Sequence, residues 1–174
     1  VLKVVKCGNA SCSSGNVVTT VDSEGNVGGF SSIAMGTDGL PVISYSGGTS
    51  DLKVLKCGNP SCSSGNIITT VDTEVGRGPD IAVGTDGLPV ISYNGNNSLK
   101  VAKCGNAACS LGNTITTVVS GFIVGVTSIT IRADGTPVIS YREYFSSYSS
   151  LKVASCGNAS CTDSNIITMV DSGG

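Results

Sequence analysis

Asp38, Asp86 and Asp134 stand 48 residues apart, in the phrases GTDGLPVISY, GTDGLPVISY and RADGTPVISY. A second phrase recurs with them, as KCGNASCSSGN, KCGNPSCSSGN, KCGNAACSLGN and SCGNASCTDSN, setting Cys7, Cys57, Cys104 and Cys156 in register. Self-similarity at this period constrains the fold more than any local pattern, because such a unit buries its apolar face only against a neighbouring copy. The chain is therefore expected to be an array.

Each unit reads as four short strands. The first is SSIAMG, DIAVG or SITIR and ends at an Asp-Gly pair, among the strongest short-range hairpin signals. The second, PVISY, carries its proline at the first strand position, where a missing N–H is tolerated. The third, as in LKVLKC, runs through the cysteine loop into the fourth, as in NIITTVD. The third and fourth strands are nearly continuous in aliphatic and β-branched residues, as expected where both faces are covered by neighbouring sheets. Four strands in about 48 residues match the blade of a β-propeller, whose blades run roughly 40 to 50 residues, better than the shorter rungs of a β-solenoid.

The fold class expected is all-β, a β-propeller-like array of four-stranded antiparallel blades, about three and a half of them. The single repeat domain 1–174 divides into a half-blade at 1–30 and blades at 31–78, 79–125 and 126–174. The opening VLKVVKC and NVVTTVD supply only third and fourth strands, so ring closure would need about twenty more residues of the type SxIAxGxDGxPVISY. Starting without Met or a signal peptide, the sequence reads as a processed product or a segment of something longer, its open edges completed by the rest of a longer chain or by another chain.

Eight cysteines fall in four local pairs, Cys7 with Cys12, Cys57 with Cys62, Cys104 with Cys109 and Cys156 with Cys161. Disulfides pinning the hairpin between third and fourth strands are the simplest reading. Zinc is the rival, disfavoured because C-x4-C is not the usual knuckle and the chain has no histidine. Four bridges imply an oxidising compartment, so an extracellular or cell-surface location is expected.

GTDGLPVISY followed by LKVLKCGNPSCSSGNIITTVD resembles repeats of secreted bacterial and archaeal proteins of β-propeller type, and is distantly similar to BNR or Asp-box repeats. The resemblance spans the chain and implies architecture. Leu40, Leu88 and Thr136 stand where Asp-box turns have an aromatic, which weakens any transfer of sialidase chemistry.

The absence of histidine excludes Ser-His-Asp and Cys-His catalysis. The net charge is -2 and the ten basic residues are scattered, which leaves no patch for nucleic acid. No apolar stretch is long enough for a spanning helix. No catalytic residue, metal site or cofactor is predicted. Glycoside hydrolysis needs only two carboxylates, but Asp38, Asp86 and Asp134 occupy equivalent turns where Asp is favoured for backbone reasons, and the only arginines are Arg77, Arg132 and Arg142. Asp22 and Glu24, and Asp72, Glu74 and Asp80, could offer oxygens to calcium but lack a dedicated loop pattern and read as solvated turns. The least repetitive stretch, SYREYFSSYSSLK, offers Arg142, Glu143, Tyr144, Phe145 and Tyr148 as a candidate contact surface, with a loop folded on its own blade as the plain alternative. Asn9, Asn96 and Asn158 lie in N-x-S sequons and are candidate glycosylation positions. The function expected is a non-catalytic extracellular structural or adhesive repeat module, part of a larger propeller or a surface filament, partnered by copies of itself or the rest of a longer chain. A glycan-binding propeller is the alternative, and a sialidase-like hydrolase a more distant one.

Overall fold

The computed structural model describes residues 1–48, 50–73, 76–121, 123–144 and 149–172, leaving aside the side chains of residues 123 and 124. The described residues form fourteen strands and no helix. β1 (Leu2–Lys6) and β2 (Val17–Asp22) make a two-stranded sheet. β3 (Gly29–Met35), β4 (Pro41–Gly47), β5 (Asp51–Lys56) and β6 (Ile67–Asp72) form the first complete blade, antiparallel and in chain order. β7 (Arg77–Val83), β8 (Pro89–Asn94), β9 (Ser98–Lys103) and β10 (Thr114–Ser120) form the second. β11 (Ile123–Ile131), β12 (Pro137–Tyr144), β13 (Ser149–Ser155) and β14 (Ile166–Ser172) form the third. The fold is thus an all-β array of three four-stranded blades preceded by half of another.

The first strand of each blade starts ahead of the boundary expected from the repeat. Gly29 pairs with Ser46 before the regular register resumes at Ser32 with Ser44; the same irregularity separates Arg77 from Asp80, and one a residue longer separates Ile123 from Thr127. These bulges turn the strand as it enters the sheet. Each Asp-Gly turn is closed by a backbone bond, as from Gly39 N to the Gly36 carbonyl at 2.9 Å. The glycine there has φ of 74° to 85° in the three turns, a conformation that L side chains rarely adopt.

Blades stack face to face, with β7 packed between β3 and β11. One apolar core fills each junction. Leu2 and Val4 of the half-blade meet Ile43, Tyr45, Leu55, Cys57 and Cys62; Val42, Leu52 and Val54 meet Ile81, Ile91, Tyr93, Ala102, Cys104 and Cys109; Val90, Leu99 and Val101 meet Ile129, Ile139, Tyr141, Ala154, Cys156 and Cys161. Every complete blade therefore has two faces of fixed composition. The face toward the following blade carries Val, Leu, Val from its second and third strands; the opposite face carries Ile, Tyr and the disulfide.

The expected covering of the fourth strand on both sides does not hold. β6, β10 and β14 are largely exposed, whereas the second strand is the most buried, every residue of β8 included. The fourth strand is the outer edge of its sheet and has a hydrogen-bonded neighbour on one side only.

Candidate functional site

The polar chemistry of the described residues is concentrated at the blade junctions. Tyr45 is buried in the second strand of its blade, and its hydroxyl donates to Asp22 Oδ2 of the preceding half-blade at 2.7 Å. Lys53 lies beside the same carboxylate at 3.5 Å. The next junction repeats the set, with Tyr93 donating to Asp72 at 2.7 Å and Lys100 to the same oxygen at 3.0 Å. Each set thus ties a tyrosine and a lysine of one blade to the aspartate that ends the fourth strand of the blade before it. Burial and the adjoining carboxylate push both tyrosine hydroxyls far above their ordinary range.

The third junction is built differently. Val119, opposite Leu99 in the register, stands where Asp22 faces Leu2 and Asp72 faces Leu52. Among the described residues the Tyr141 hydroxyl has no hydrogen-bond partner, and burial, with the nearby charge of Glu143, pushes it up to about 12. Lys152 is ion-paired with Glu143, which occupies the position of Gly47 and Gly95. Those glycines lie under the lysine stem, since a Cβ at Gly47 would come within 2.7 Å of Lys53 Cδ and one at Gly95 within 2.6 Å of Lys100 Cδ. The carboxylate lost from the preceding blade has been replaced by one on the lysine's own blade.

A second pairing follows the same logic at the Asp-Gly turns. Asp38 accepts from Leu40 N at 3.0 Å and pairs with Lys56 at 2.8 Å; Asp86 accepts from Leu88 N at 3.1 Å and pairs with Lys103 at 2.8 Å. In the third blade Ser155 replaces the lysine and Arg132 supplies the cation, donating to Ser155 Oγ at 2.8 Å. The three aspartates are turn residues engaged locally, each accepting from a backbone N–H of its own turn, and Asp86 and Asp134 line one open cleft between neighbouring turns.

These contacts set a pH window. Lys56 holds Asp38 below the ordinary carboxylate range, and Thr136 does so for Asp134; at Asp86 and Asp22 burial opposes the shift, but Lys103 and Leu88 N in one case, and Tyr45, Glu24 N and Lys53 in the other, outweigh it. A carboxyl depressed in the folded state stabilises fully above its unfolded value of 3.8, and the contribution is lost as pH falls through the lower folded value. The buried tyrosines work in the opposite sense, because above the ordinary value of 10.0 only the unfolded chain releases their protons. Thermal unfolding followed by circular dichroism should therefore show a plateau between these limits, with a fall below and above it. A midpoint still rising beyond the alkaline limit would contradict the buried-tyrosine assignment.

All four cysteine pairs are disulfides, Cys7–Cys12, Cys57–Cys62, Cys104–Cys109 and Cys156–Cys161. Two asparagines brace each loop. In the second, Asn59 Oδ1 accepts from Ser63 N at 3.1 Å while Asn66 Nδ2 donates to the Cys62 carbonyl at 2.7 Å and its Oδ1 accepts from Gly58 N at 3.2 Å. The preceding blade then grips the loop from outside, Thr19 Oγ1 donating to the Ser61 carbonyl at 2.8 Å and Thr69 Oγ1 to the Ala108 carbonyl at 2.9 Å. The last three disulfides are buried in the junction cores, and Cys7 and Cys12, with no blade described before them, are exposed. The bridges are thus apolar plugs between blades as well as pins within a hairpin.

The other sequence-derived candidates disperse. Arg142 stacks on Tyr144, its guanidinium carbon 3.9 Å from the ring centroid, while Glu143 between them is buried; Phe145 and Tyr148 lie outside the described residues. Asn9 and Asn158 are loop-bracing asparagines, with their amides donating to Ser13 Oγ at 3.0 Å and Thr162 Oγ1 at 2.9 Å, and Asn96 sits exposed in a turn. Of the suggested calcium ligands, Asp22 and Asp72 serve the junctions and Glu74 lies outside the described residues. Asp80 spans three inner strands, accepting from Ser32 Oγ at 2.5 Å and Ile129 N at 2.8 Å. Among the described residues no three His, Cys, Asp or Glu side chains group as metal ligands. No described helix is long and apolar enough to cross a membrane.

Sequence reasoning missed the Asp, Tyr and Lys set, although its signal was present: Asp22 and Asp72 end the fourth strands, and Tyr45 with Lys53 and Tyr93 with Lys100 recur at equivalent places in the second and third strands of the blade that follows. A scan against protein-family models and a search of curated proteins both return no match.

Proposed function

We propose that the chain is a non-catalytic, extracellular structural module of β-propeller type, and that its two end faces join it to further copies of the same repeat. The observation that carries this reading is that the first and last units each display a junction face without its counterpart among the described residues. Leu151, equivalent to the fully buried Leu52 and Leu99, is 45% exposed on the third blade. Val5, equivalent to the fully buried Leu55, Ala102 and Ala154, is 53% exposed on the half-blade. Asp171 and Thr168 lie exposed where Asp72 and Thr69 serve a following blade. The end of one copy thus carries the face that the start of another needs, a heterologous contact that builds rings or filaments. Four disulfides in so small a domain support an oxidising, extracellular setting. The glycan-binding alternative has less support, since Arg142 covers a face of Tyr144 that a sugar ring would use.

Sedimentation of the oxidised chain over a range of concentrations tests the proposal. Association that rises with concentration and is lost in Leu151→Asp is expected. A chain that sediments as a monomer throughout, or a Leu151→Asp variant that associates as before, would overturn it.

A further inference from the structure

The half-blade leaves a cleft of defined chemistry. Among the described residues β1 has one hydrogen-bonded neighbour, β2, whereas the corresponding strands β5, β9 and β13 are each flanked on both sides. The floor of the cleft is apolar. Ile33 is 57% exposed, although its equivalents Ile81 and Ile129 are 6% and 8% exposed. What covers those two residues is known: Ala34 and Val42 pack in the core that contains Ile81, and Ala82 and Val90 in the core that contains Ile129. In both cases the cover is the inner hairpin of the preceding blade, its first two strands joined by the Asp-Gly turn.

The charges point to the same occupant. Lys6 ends β1 as Lys56 ends β5 and Lys103 ends β9, and those two lysines pair with the turn aspartate of the adjoining inner hairpin at 2.8 Å. Among the described residues Lys6 has no such partner. Lysine on an exposed edge commonly serves to discourage pairing. That explanation fails to distinguish Lys6 from Lys56 and Lys103, which hold the same position on strands that are not edges.

From the unpaired edge, the exposed floor and the unmatched cation together, we infer that β1 is an acceptor site for an inner hairpin of this repeat's own chemistry, an extended I-A-x-G-x-D-G-x-P-V-I-S-Y segment. The inference rests on the structural reading above but concerns a different surface, the half-blade's strand edge. The register follows from the complete blades, where Val42, Ile43, Ser44 and Tyr45 face Lys56, Leu55, Val54 and Lys53. In the docked hairpin the valine faces Lys6, the isoleucine Val5, the serine Val4 and the tyrosine Lys3, while the turn aspartate reaches the Lys6 ammonium. Main-chain bonds supply affinity in such strand addition, and the side chains at alternate positions supply specificity.

A synthetic peptide spanning residues 29–47 tests this by calorimetric titration into the oxidised Leu151→Asp chain, so that binding is read whether or not the end faces associate. Saturable one-to-one binding is expected, with new hydrogen-exchange protection of the β1 amides that face away from β2. Lys6→Glu should weaken it by about tenfold or more, a difference of roughly 1.4 kcal/mol. A peptide carrying Lys in place of Asp38 should restore binding to that variant. No saturable binding, equal binding of a scrambled peptide, or affinity indifferent to Lys6→Glu would each overturn the inference. So would protection, in the chain alone, of the β1 amides that face away from β2, because the edge would then be taken by a second copy. Failure of the structural proposal would show separately, in sedimentation of the unaltered chain.

Discussion

Replacing Cys104 and Cys109 together by serine should cost about twice as much stability as the same change at Cys7 and Cys12. Closing so short a loop restricts the unfolded chain by roughly 2 kcal/mol in the entropic account, and this part is common to both pairs. The pairs differ in surroundings. Cys104 and Cys109 are buried in the apolar core between the first and second blades, and serine there leaves two hydroxyls without water or partners. Stranding them adds about 1 to 3 kcal/mol, for a total near 4 kcal/mol. Cys7 and Cys12 are exposed, and the solvated hydroxyls add little. In thermal unfolding the buried pair should fall by roughly 8 to 16 °C and the exposed pair by about half of that. Equal losses would mean that the bridges act only within their own hairpins.

The second large effect is a contrast between two tyrosines that look alike in sequence. Tyr93→Phe removes the donor to Asp72 and leaves a part-buried carboxylate with one fewer partner, for a loss of about 2 kcal/mol. Tyr141→Phe removes a buried hydroxyl that bonds to none of the described residues, so it should be neutral within about 0.5 kcal/mol or slightly stabilising. Both changes keep the ring and its packing, so the difference isolates the hydrogen bond. Denaturant midpoints of the two variants at neutral pH give the comparison. A Tyr141→Phe loss as large as that of Tyr93→Phe would show that Tyr141 has a partner that is equally strong.

The strands and turns were legible in the sequence because they are encoded locally. An Asp-Gly pair before P-V-I-S-Y specifies a hairpin wherever it stands, and the 48-residue spacing specifies how often. What covers each strand was not legible in the same way. Ile68 and Leu55 are equally apolar, yet Leu55 is buried in a junction and Ile68 exposed on the outer strand, because one lies inside its sheet and the other at its edge. The disulfides were found from spacing alone, but their place in the junction cores depends on how one sheet is set against the next. The exchange of Val119 for Asp and of Glu143 for Gly was visible only as two unrelated departures from the repeat. The pairing of Glu143 with Lys152 makes them one event.

That exchange bears on the order of the blades. A unit ending in aspartate, set before the third blade, would bring another carboxylate toward Lys152, whose charge Glu143 already balances. The third blade set after the half-blade or the first would therefore meet a like charge in a poorly hydrated junction, and the second blade set after itself would leave Lys100 without its counter-ion. Charge thus marks the second blade as the fitting predecessor of the third, whereas the first and second blades are served alike by any unit that ends in aspartate. At that one junction the order of units is written in charge, and moving the third blade would yield an array that differs in stability although every strand and turn is kept.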